Sequence, residues 1–209
     1  MDPCRSRSSC FLVPTHVYDG DYVKADTEWE ELCWIRERTD APKGCRVEIV
    51  DGLVTVTPLA TVRHHLIAAQ VHRCLYQAVP ENWGVHQWWD IAVPERLALL
   101  VPDLVVVRED FRFADDGLCP AAAAELVVEI TSKATASRDR TAKPAACAMG
   151  SVPLHLLIDG RAPGGPAFTL HGAPENGVYR VLESGRFGEP IKLPAPFDLV
   201  IDTGEFPQS

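Results

Sequence analysis

Two carboxylates stand at the polar ends of two apolar runs near the middle of the chain. Asp103 lies near the start of the run from Val101 to Val107, and Glu129 near the end of the run from Leu126 to Ile130. If these runs form neighbouring antiparallel strands, the start of one lies beside the end of the other, so both carboxylates meet at one edge of a sheet. Two such acids can hold a divalent metal. Mg²⁺ in particular takes one or two carboxylates together with water and phosphate oxygens.

A third acid and two lysines are candidates for the same site. Glu48 is expected on the first strand of a hairpin, and it could assist the other two acids. A metal held by these acids would polarise a phosphodiester and help to generate hydroxide from bound water. An ammonium group nearby would stabilise charge that develops on the phosphate. Lys143 is the first candidate for that role and Lys133 is the second.

Each candidate also has a purely structural explanation. An Asp after Pro at the start of a strand is often only a turn acceptor, and a Glu near a strand end can be a solvated edge charge. Lys143 lies four residues after Asp139, which is the spacing of a surface ion pair on a helix, worth about 0.2–0.5 kcal/mol. His64, on an apolar helix face, is more often a hydrogen-bonded core residue than a ligand, and the spacing of the histidines does not match a zinc site.

The elements that must position these residues follow from periodicity and turn signals. Asp51-Gly52 joins two short apolar segments, and it predicts a hairpin because a type I′ turn needs positive φ at both positions. Pro144 directly follows Lys143 and is expected to disturb the helix there, which could displace the lysine. The pattern predicts helices over 27–38, 61–78 and 137–149, hairpin strands over 46–50 and 53–57, strands over 83–93 and 153–159, and a meander of short strands after residue 167.

This order of elements is typical of a central mixed sheet with helices on its faces. The helix between Glu129 and Pro153 has the right length to cross between parallel neighbours, which favours an α/β or α+β fold. The length of 209 residues favours one domain, which we assign to residues 26–209. Residues 1–25 have mixed polarity and no clear period, and we expect a loosely ordered arm.

Composition narrows the class of protein. No apolar run approaches the roughly 18–20 residues of a membrane helix, and no secretory signal is evident, so a cytoplasmic protein is expected. The seven cysteines are scattered without a C-x-x-C pair, which indicates reduced thiols rather than a disulfide framework or a zinc ribbon. The net charge of −9 repels nucleic acid at long range. Residues 132–143, however, carry four cations against one acid, although such a run is most often only a solvated face.

Several motifs in fixed order resemble the Uma-two family of restriction endonucleases, which belongs to the PD-(D/E)XK nuclease superfamily. The resemblance covers about residues 40 to 203. The motifs are Val47-Glu48-Ile-Val-Asp-Gly52, Arg63-His64, Pro102-Asp103-Leu-Val-Val-Val107, Leu126-Val-Val-Glu129-Ile-Thr-Ser132, Asp139-Arg140-x-x-Lys143 and Val152-Pro-x-x-x-x-Ile-Asp159.

The resemblance implies a restriction-endonuclease-like fold and a DNA endonuclease that depends on Mg²⁺, with Mn²⁺ as a substitute. By position, Asp103 and Glu129 would be the metal ligands, Glu48 an assisting acid and Lys143 the electrostatic stabiliser, with His64 lining the site. The superfamily places its lysine two residues after the second acid, where this chain has Thr131; in the Uma-two pattern a lysine on the following helix takes that place, which matches Lys143. Enzymes of this fold often dimerise to cut both strands, so a homodimer is expected by analogy.

Two other hypotheses remain open from the sequence. A catalytically silent member of the family would use this domain for binding or assembly. Hydrolysis of RNA or of a nucleotide ranks last, because the chain has no aromatic RNA-binding signature.

Overall fold

The computed structural model describes residues 25–58, 60–108 and 118–207. The predicted N-terminal arm therefore lies outside the described residues, apart from residue 25. Within the described ranges, no helix has both the length and the apolar character needed to cross a membrane.

Four α-helices are present in the described part of the chain, and local signals explain where the first two begin. The side chain of Thr27 accepts a hydrogen bond from the amide of Glu30, whose carboxylate accepts one from the Thr27 amide, which forms a capping box. The next helix begins after Thr61, whose hydroxyl accepts from the amide of His64. The helices are α1 (Glu28–Arg38), α2 (Val62–Ala78), α3 (Ala136–Arg140) and α4 (Ala142–Met149).

The described strands form two main sheets and a small ribbon. The first sheet has the order β2-β1-β5-β4-β7, the second has the order β11-β10-β9-β8-β6-β3, and β12 pairs with β13. The strands are β1 (Arg46–Val50), β2 (Leu53–Thr57), β3 (Trp83–His86), β4 (Ile91–Val93), β5 (Ala98–Leu100), β6 (Leu104–Arg108), β7 (Cys119–Pro120), β8 (Ala124–Ile130), β9 (Leu154–Asp159), β10 (Ala167–Glu175), β11 (Val178–Arg186), β12 (Ile191–Leu193) and β13 (Leu199–Ile201).

The predicted fold class is confirmed, together with the hairpin and the crossover. Asp51 and Gly52 have φ values of 50° and 75°, as the type I′ turn between β1 and β2 requires. Strand β8 is antiparallel to β6 and parallel to β9, and α3 and α4 form the crossover between β8 and β9. The structure thus makes the two carboxylate-bearing strands direct neighbours.

Two predicted elements were wrong in detail, and one strand was missed. The single strand predicted over 83–93 is two strands, β3 and β4, which lie in different sheets and are separated by a turn in which Trp88 has φ 55°. Strand β5 was not predicted. The single helix predicted over 137–149 is broken at Thr141 into α3 and α4. Pro144 explains the break, because its ring would collide with the carbonyl group four residues earlier if the helix were continuous.

The central strands β6 and β8 of the six-stranded sheet are buried on both faces. On one face, Leu104, Val106 and Val128 pack against α2; on the other, Val105 and Val127 pack against the first sheet and α4. Burial on both faces explains why these strands are continuous apolar runs. Among the described cysteines, Cys45, Cys74, Cys119 and Cys147 are free thiols.

Candidate metal and phosphodiester site

The pairing of β6 with β8 brings the two predicted metal ligands together. Leu104 lies opposite Val128, so one further step of the register places Asp103 opposite Glu129. Opposite residues of an antiparallel pair point to the same face, with Cβ atoms about 4.5–5.5 Å apart. Asp103 and Glu129 are each 1% exposed, so neither is the solvated turn or edge residue that the alternative explanation describes.

A buried lysine joins three acids from three different elements. Nζ of Lys143 lies 2.8 Å from Oε1 of Glu48, 3.1 Å from Oε1 of Glu129 and 3.6 Å from Oδ1 of Asp139. Lys143 is 0% exposed. Together with Asp103, these four residues are called the acid–lysine cluster below.

The proline beside Lys143 does not displace it from the cluster, so that expectation was wrong. Lys143 and Pro144 are the second and third residues of α4. The amides in the first turn of a helix have no acceptor within the helix, so a proline there costs no hydrogen bond.

Asp103 is held in place by three hydrogen bonds. Nη1 of Arg46 donates to Oδ1 at 2.8 Å, and the amide of Ile130 donates to Oδ2 at 2.8 Å. Nε2 of His64 shares a hydrogen bond of 2.9 Å with Oδ2. Burial would raise the pKa of Asp103, but the contacts with His64 and Arg46 hold it below its ordinary value. This carboxylate is therefore ionised and fixed in orientation.

The pKa values of the other three acids of the cluster shift in different directions. Burial would raise the pKa of Glu48, yet Lys143 and the amide of Val101 lower it. Burial raises the pKa of Glu129 well above its ordinary value, and the neighbouring carboxylates add to this against the opposing effect of Lys143. Burial likewise raises the pKa of Asp139 to about 6. Glu129 and Asp139 thus lack sufficient positive charge around them.

Lys143 itself is a permanent cation. Burial would lower its pKa, but Glu129, Glu48 and Asp139 together raise it above the ordinary lysine value. Its ammonium group can therefore stabilise negative charge but cannot act as a general base at neutral pH.

The balance of charge fits a hard divalent cation. Four carboxylates face two permanent cations, Lys143 and Arg46, which leaves an excess of two negative charges when all four acids are ionised. Oε2 of Glu48 and both carboxylate oxygens of Asp139 are buried without a hydrogen-bond partner among the described residues. Such oxygen donors are the ligands that Mg²⁺ prefers. Across residues 25–58, 60–108 and 118–207, however, no group of three or more His, Cys, Asp or Glu side chains is already arranged around a metal position.

The structure therefore brings together most of the predicted site residues and separates one. Asp103, Glu129, Glu48, Lys143 and His64 lie together. Lys133 is exposed, and it lines a neighbouring pocket with His64 instead.

Sequence reasoning missed two members of this network. Arg46 stands two residues before Glu48, so the alternation of a strand could have placed both on one side of β1. Asp139 was interpreted as the partner in a surface ion pair with Lys143. The spacing was right, but the surface location was wrong, because Asp139 is 1% exposed and Lys143 is 0% exposed.

Comparisons with known proteins agree with this arrangement of elements. A solved structure from Anabaena variabilis, described as "a putative nuclease belonging to DUF820", shares the fold with a TM-score of 0.56 and 14% sequence identity, over 78% of this chain and 88% of that one. No curated protein matches the chain. The Uma2 (Uma-two) family model, described as "Putative restriction endonuclease", matches residues 28–204. Since that match spans most of the sequence, the chain belongs to the Uma2 family.

Proposed function

We propose that this chain is a divalent-metal-dependent endonuclease that hydrolyses phosphodiester bonds in DNA. The observation that carries the proposal is the convergence of Glu48, Glu129 and Asp139 on the buried ammonium of Lys143, beside the fixed carboxylate of Asp103. The description of the family as restriction endonucleases supports it. Perturbed acids gathered around one cation are typical of functional sites.

Asp103 and Glu129 would hold Mg²⁺ or Mn²⁺, with Glu48 as an assisting acid. When bound, the cation would polarise the phosphodiester and lower the pKa of an attacking water. Lys143 would stabilise charge on the phosphate oxygens as a fixed ammonium group. Arg46 and His64 are positioning residues, because they hold the carboxylate of Asp103 through hydrogen bonds.

One observation favours the second candidate function, a catalytically silent binding or assembly module. Both carboxylate oxygens of Asp103 already have partners, and Oε1 of Glu129 is bonded to Lys143. A cluster whose carboxylate oxygens are already hydrogen-bonded within the protein could act only to stabilise the fold. The buried, unpartnered oxygens of Glu48 and Asp139 argue against that role, because a purely structural network is expected to satisfy its buried acceptors.

A cleavage assay separates the two functions. The full chain is incubated with plasmid DNA and Mg²⁺ or Mn²⁺, and the wild type is compared with Glu129→Gln. Glu125→Gln is the matched control, because Glu125 lies on the same strand but pairs with Arg108 at 3.2 Å, away from the cluster. We expect cleavage by the wild type and by the control, and none by Glu129→Gln.

Two outcomes would contradict the nuclease proposal. Equal cleavage by Glu129→Gln would indicate a contaminant or a different site. Absence of cleavage on any DNA, together with no heat of Mg²⁺ or Mn²⁺ binding in calorimetry, would favour the silent module.

The proposal extends to location, domain and assembly. We include a single domain over residues 26–209 and a location in the cytoplasm, and the free thiols of Cys45, Cys74, Cys119 and Cys147 agree with that location. Cutting both strands of a duplex would require two sites, so we include a homodimer by analogy with the fold. Light scattering with and without DNA measures that assembly state.

A further inference from the structure

A pocket of about 210 Å³ opens beside the acid–lysine cluster, where β8 and β9 end and α2 begins. Three cationic side chains line it, from Arg63, Lys133 and Arg161, and no carboxylate does among the described residues. The whole chain carries a net charge of −9, so this local charge is opposite to that of the protein. The pocket is therefore suited to an anion.

The guanidinium group of Arg63 is the strongest sign of an anion-binding site. Its Nη2 atom is buried and has no hydrogen-bond partner in the described ranges. It lies beside Gly160, where a Cβ atom would be in ordinary van der Waals contact with Nη2 at 3.6 Å. A buried charged donor without an acceptor is costly, and Arg forms paired hydrogen bonds with phosphate oxygens.

The start of α2 adds to this preference. Arg63 is the second residue of α2, and the first turn of this helix contains no acidic residue. The first amides of a helix have no intrahelical acceptor, and with the helix dipole they favour an anion.

Asp159 lies next to the pocket, where it is bonded to the lining residue Thr131, and its charge is already neutralised. Asp159 accepts hydrogen bonds from Nε of Arg140 at 2.7 Å, from the hydroxyl of Thr131 at 2.8 Å and from the amide of Arg161 at 2.9 Å. Burial would raise the pKa of Asp159, but these partners, with Arg140 first, lower it. Its charge therefore does not offset the cations of the pocket.

His64 connects the pocket to the proposed catalytic cluster. The residue lines the pocket, is 4% exposed, and its Nε2 lies 2.9 Å from Oδ2 of Asp103. An anion in the pocket would thus lie one imidazole ring away from Asp103.

We propose that this pocket holds a phosphate group of a polynucleotide, next to the phosphate that is cut at the acid–lysine cluster. The assignment rests on the proposed nuclease function.

The test is DNA binding without cleavage. A fluorescently labelled duplex is titrated with the full chain in EDTA, and anisotropy is measured at several salt concentrations. Two variants are used, Arg63→Gln and the double variant Lys133→Gln/Arg161→Gln, whose side chains are exposed and not part of the buried network. The matched control, Arg180→Gln/Lys192→Gln, removes the same charge from exposed positions on β11 and β12.

We expect each pocket variant to bind DNA about tenfold more weakly. The slope of log affinity against log salt should fall by about 1 for each phosphate that the variant no longer binds. The control should change affinity by less than about twofold. Circular dichroism and the Tm of each variant show whether it is folded. If Arg63→Gln does not fold, the double variant still tests the proposal.

The results separate the pocket from the nuclease proposal. Weaker binding in both variants of a protein that cleaves nothing would support the pocket and overturn the nuclease function. Cleavage with unchanged DNA affinity in the double variant would overturn the pocket and leave the nuclease function standing. Inorganic phosphate and a nucleoside monophosphate are titrated as well. If either one binds at the pocket while the pocket variants bind DNA as tightly as the wild type does, the pocket takes a small free anion. The polynucleotide assignment is then wrong.

Discussion

Two groups of buried polar side chains lie on the same face of the six-stranded sheet, and only one of them is charged. One is the acid–lysine cluster. The other, here called the histidine cluster, comprises His155, His171 and Tyr179, whose ring centroids lie 5.6–6.1 Å apart. His155 is 0% exposed, and neither of its ring nitrogens has a hydrogen-bond partner in the part of the chain that the structure describes.

The histidine cluster stays neutral, whereas the acid–lysine cluster keeps charge. Burial, together with His171 and Lys143, lowers the pKa of His155 to about 3, so the ring carries no charge at neutral pH. In the acid–lysine cluster, by contrast, four acids share two permanent cations. A neutral group is the less costly way to bury polarity. Buried acids with too few cations around them are held at a cost to stability, which points to a function that needs them.

Removing the cation from the acid–lysine cluster should have the largest effect. Lys143→Met would leave Glu48 and Glu129 buried without their main partner, and breaking a buried ion pair costs about 3–5 kcal/mol. Urea unfolding, followed by tryptophan fluorescence, measures the loss in free energy of unfolding. Lys133→Met is the control, because Lys133 is exposed and should change stability by less than about 0.5 kcal/mol. A loss below about 1 kcal/mol in Lys143→Met would mean that the cluster is not held by this ammonium.

Removing an acid from the same cluster should stabilise the protein. The pKa of Asp139 is about 6 in the folded state against an ordinary value of 3.8, so the folded protein holds this proton more tightly. Its free energy of unfolding therefore falls as pH rises from about 4 to 6, and the loss persists above pH 6. Asp139→Asn abolishes that loss, and we expect a gain of up to about 3 kcal/mol at pH 8.

A second aspartate gives the matched contrast to Asp139→Asn. Asp159 is also buried, but its partners lower its pKa. Its stabilising contribution is therefore present above its ordinary pKa and is lost as the pH falls through its lowered pKa. Asp159→Asn should thus destabilise the protein at pH 8. If both variants lose stability in urea unfolding, the excess of negative charge in the acid–lysine cluster is not costly.

The comparison also shows how far the sequence could predict this site. Asp103 and Glu129 were found because each stands at the polar end of an apolar run and strand pairing places both together, and the family resemblance favoured a metal site over a structural role. Arg46 and Asp139 were not found. Their types and spacings are common on exposed strands and helices, and only the packing of α3 and α4 over the sheet buries Asp139.

The fold was predictable where local signals decide the backbone, and not where contacts between distant segments decide it. The capping box of α1 and the Asp51-Gly52 turn were sufficient for the first helix and the hairpin. The division of residues 83–93 between two sheets depends on a turn at Trp88, a bulky residue with positive φ, for which no sequence signal exists. Likewise, Pro144 indicated a disturbance of the helix but not that Thr141 would be the break.

The histidine cluster provides the smallest and most selective test of the comparison. In the folded state His155 takes up a proton only near pH 3, while in the unfolded chain it does so near 6.5. As the pH falls below 6.5, the unfolded state therefore binds more protons, and the free energy of unfolding decreases down to about pH 3. This amounts to about 2 kcal/mol between pH 7 and pH 5. His155→Leu removes the titrating ring, so its stability should decline less over that range in urea unfolding at each pH. His65→Leu, a replacement on α2 remote from this cluster in the fold, should decline as the wild type does. An equal decline in all three proteins would place the acid sensitivity in the acid–lysine cluster instead, and the neutral character assigned to the histidine cluster would be wrong.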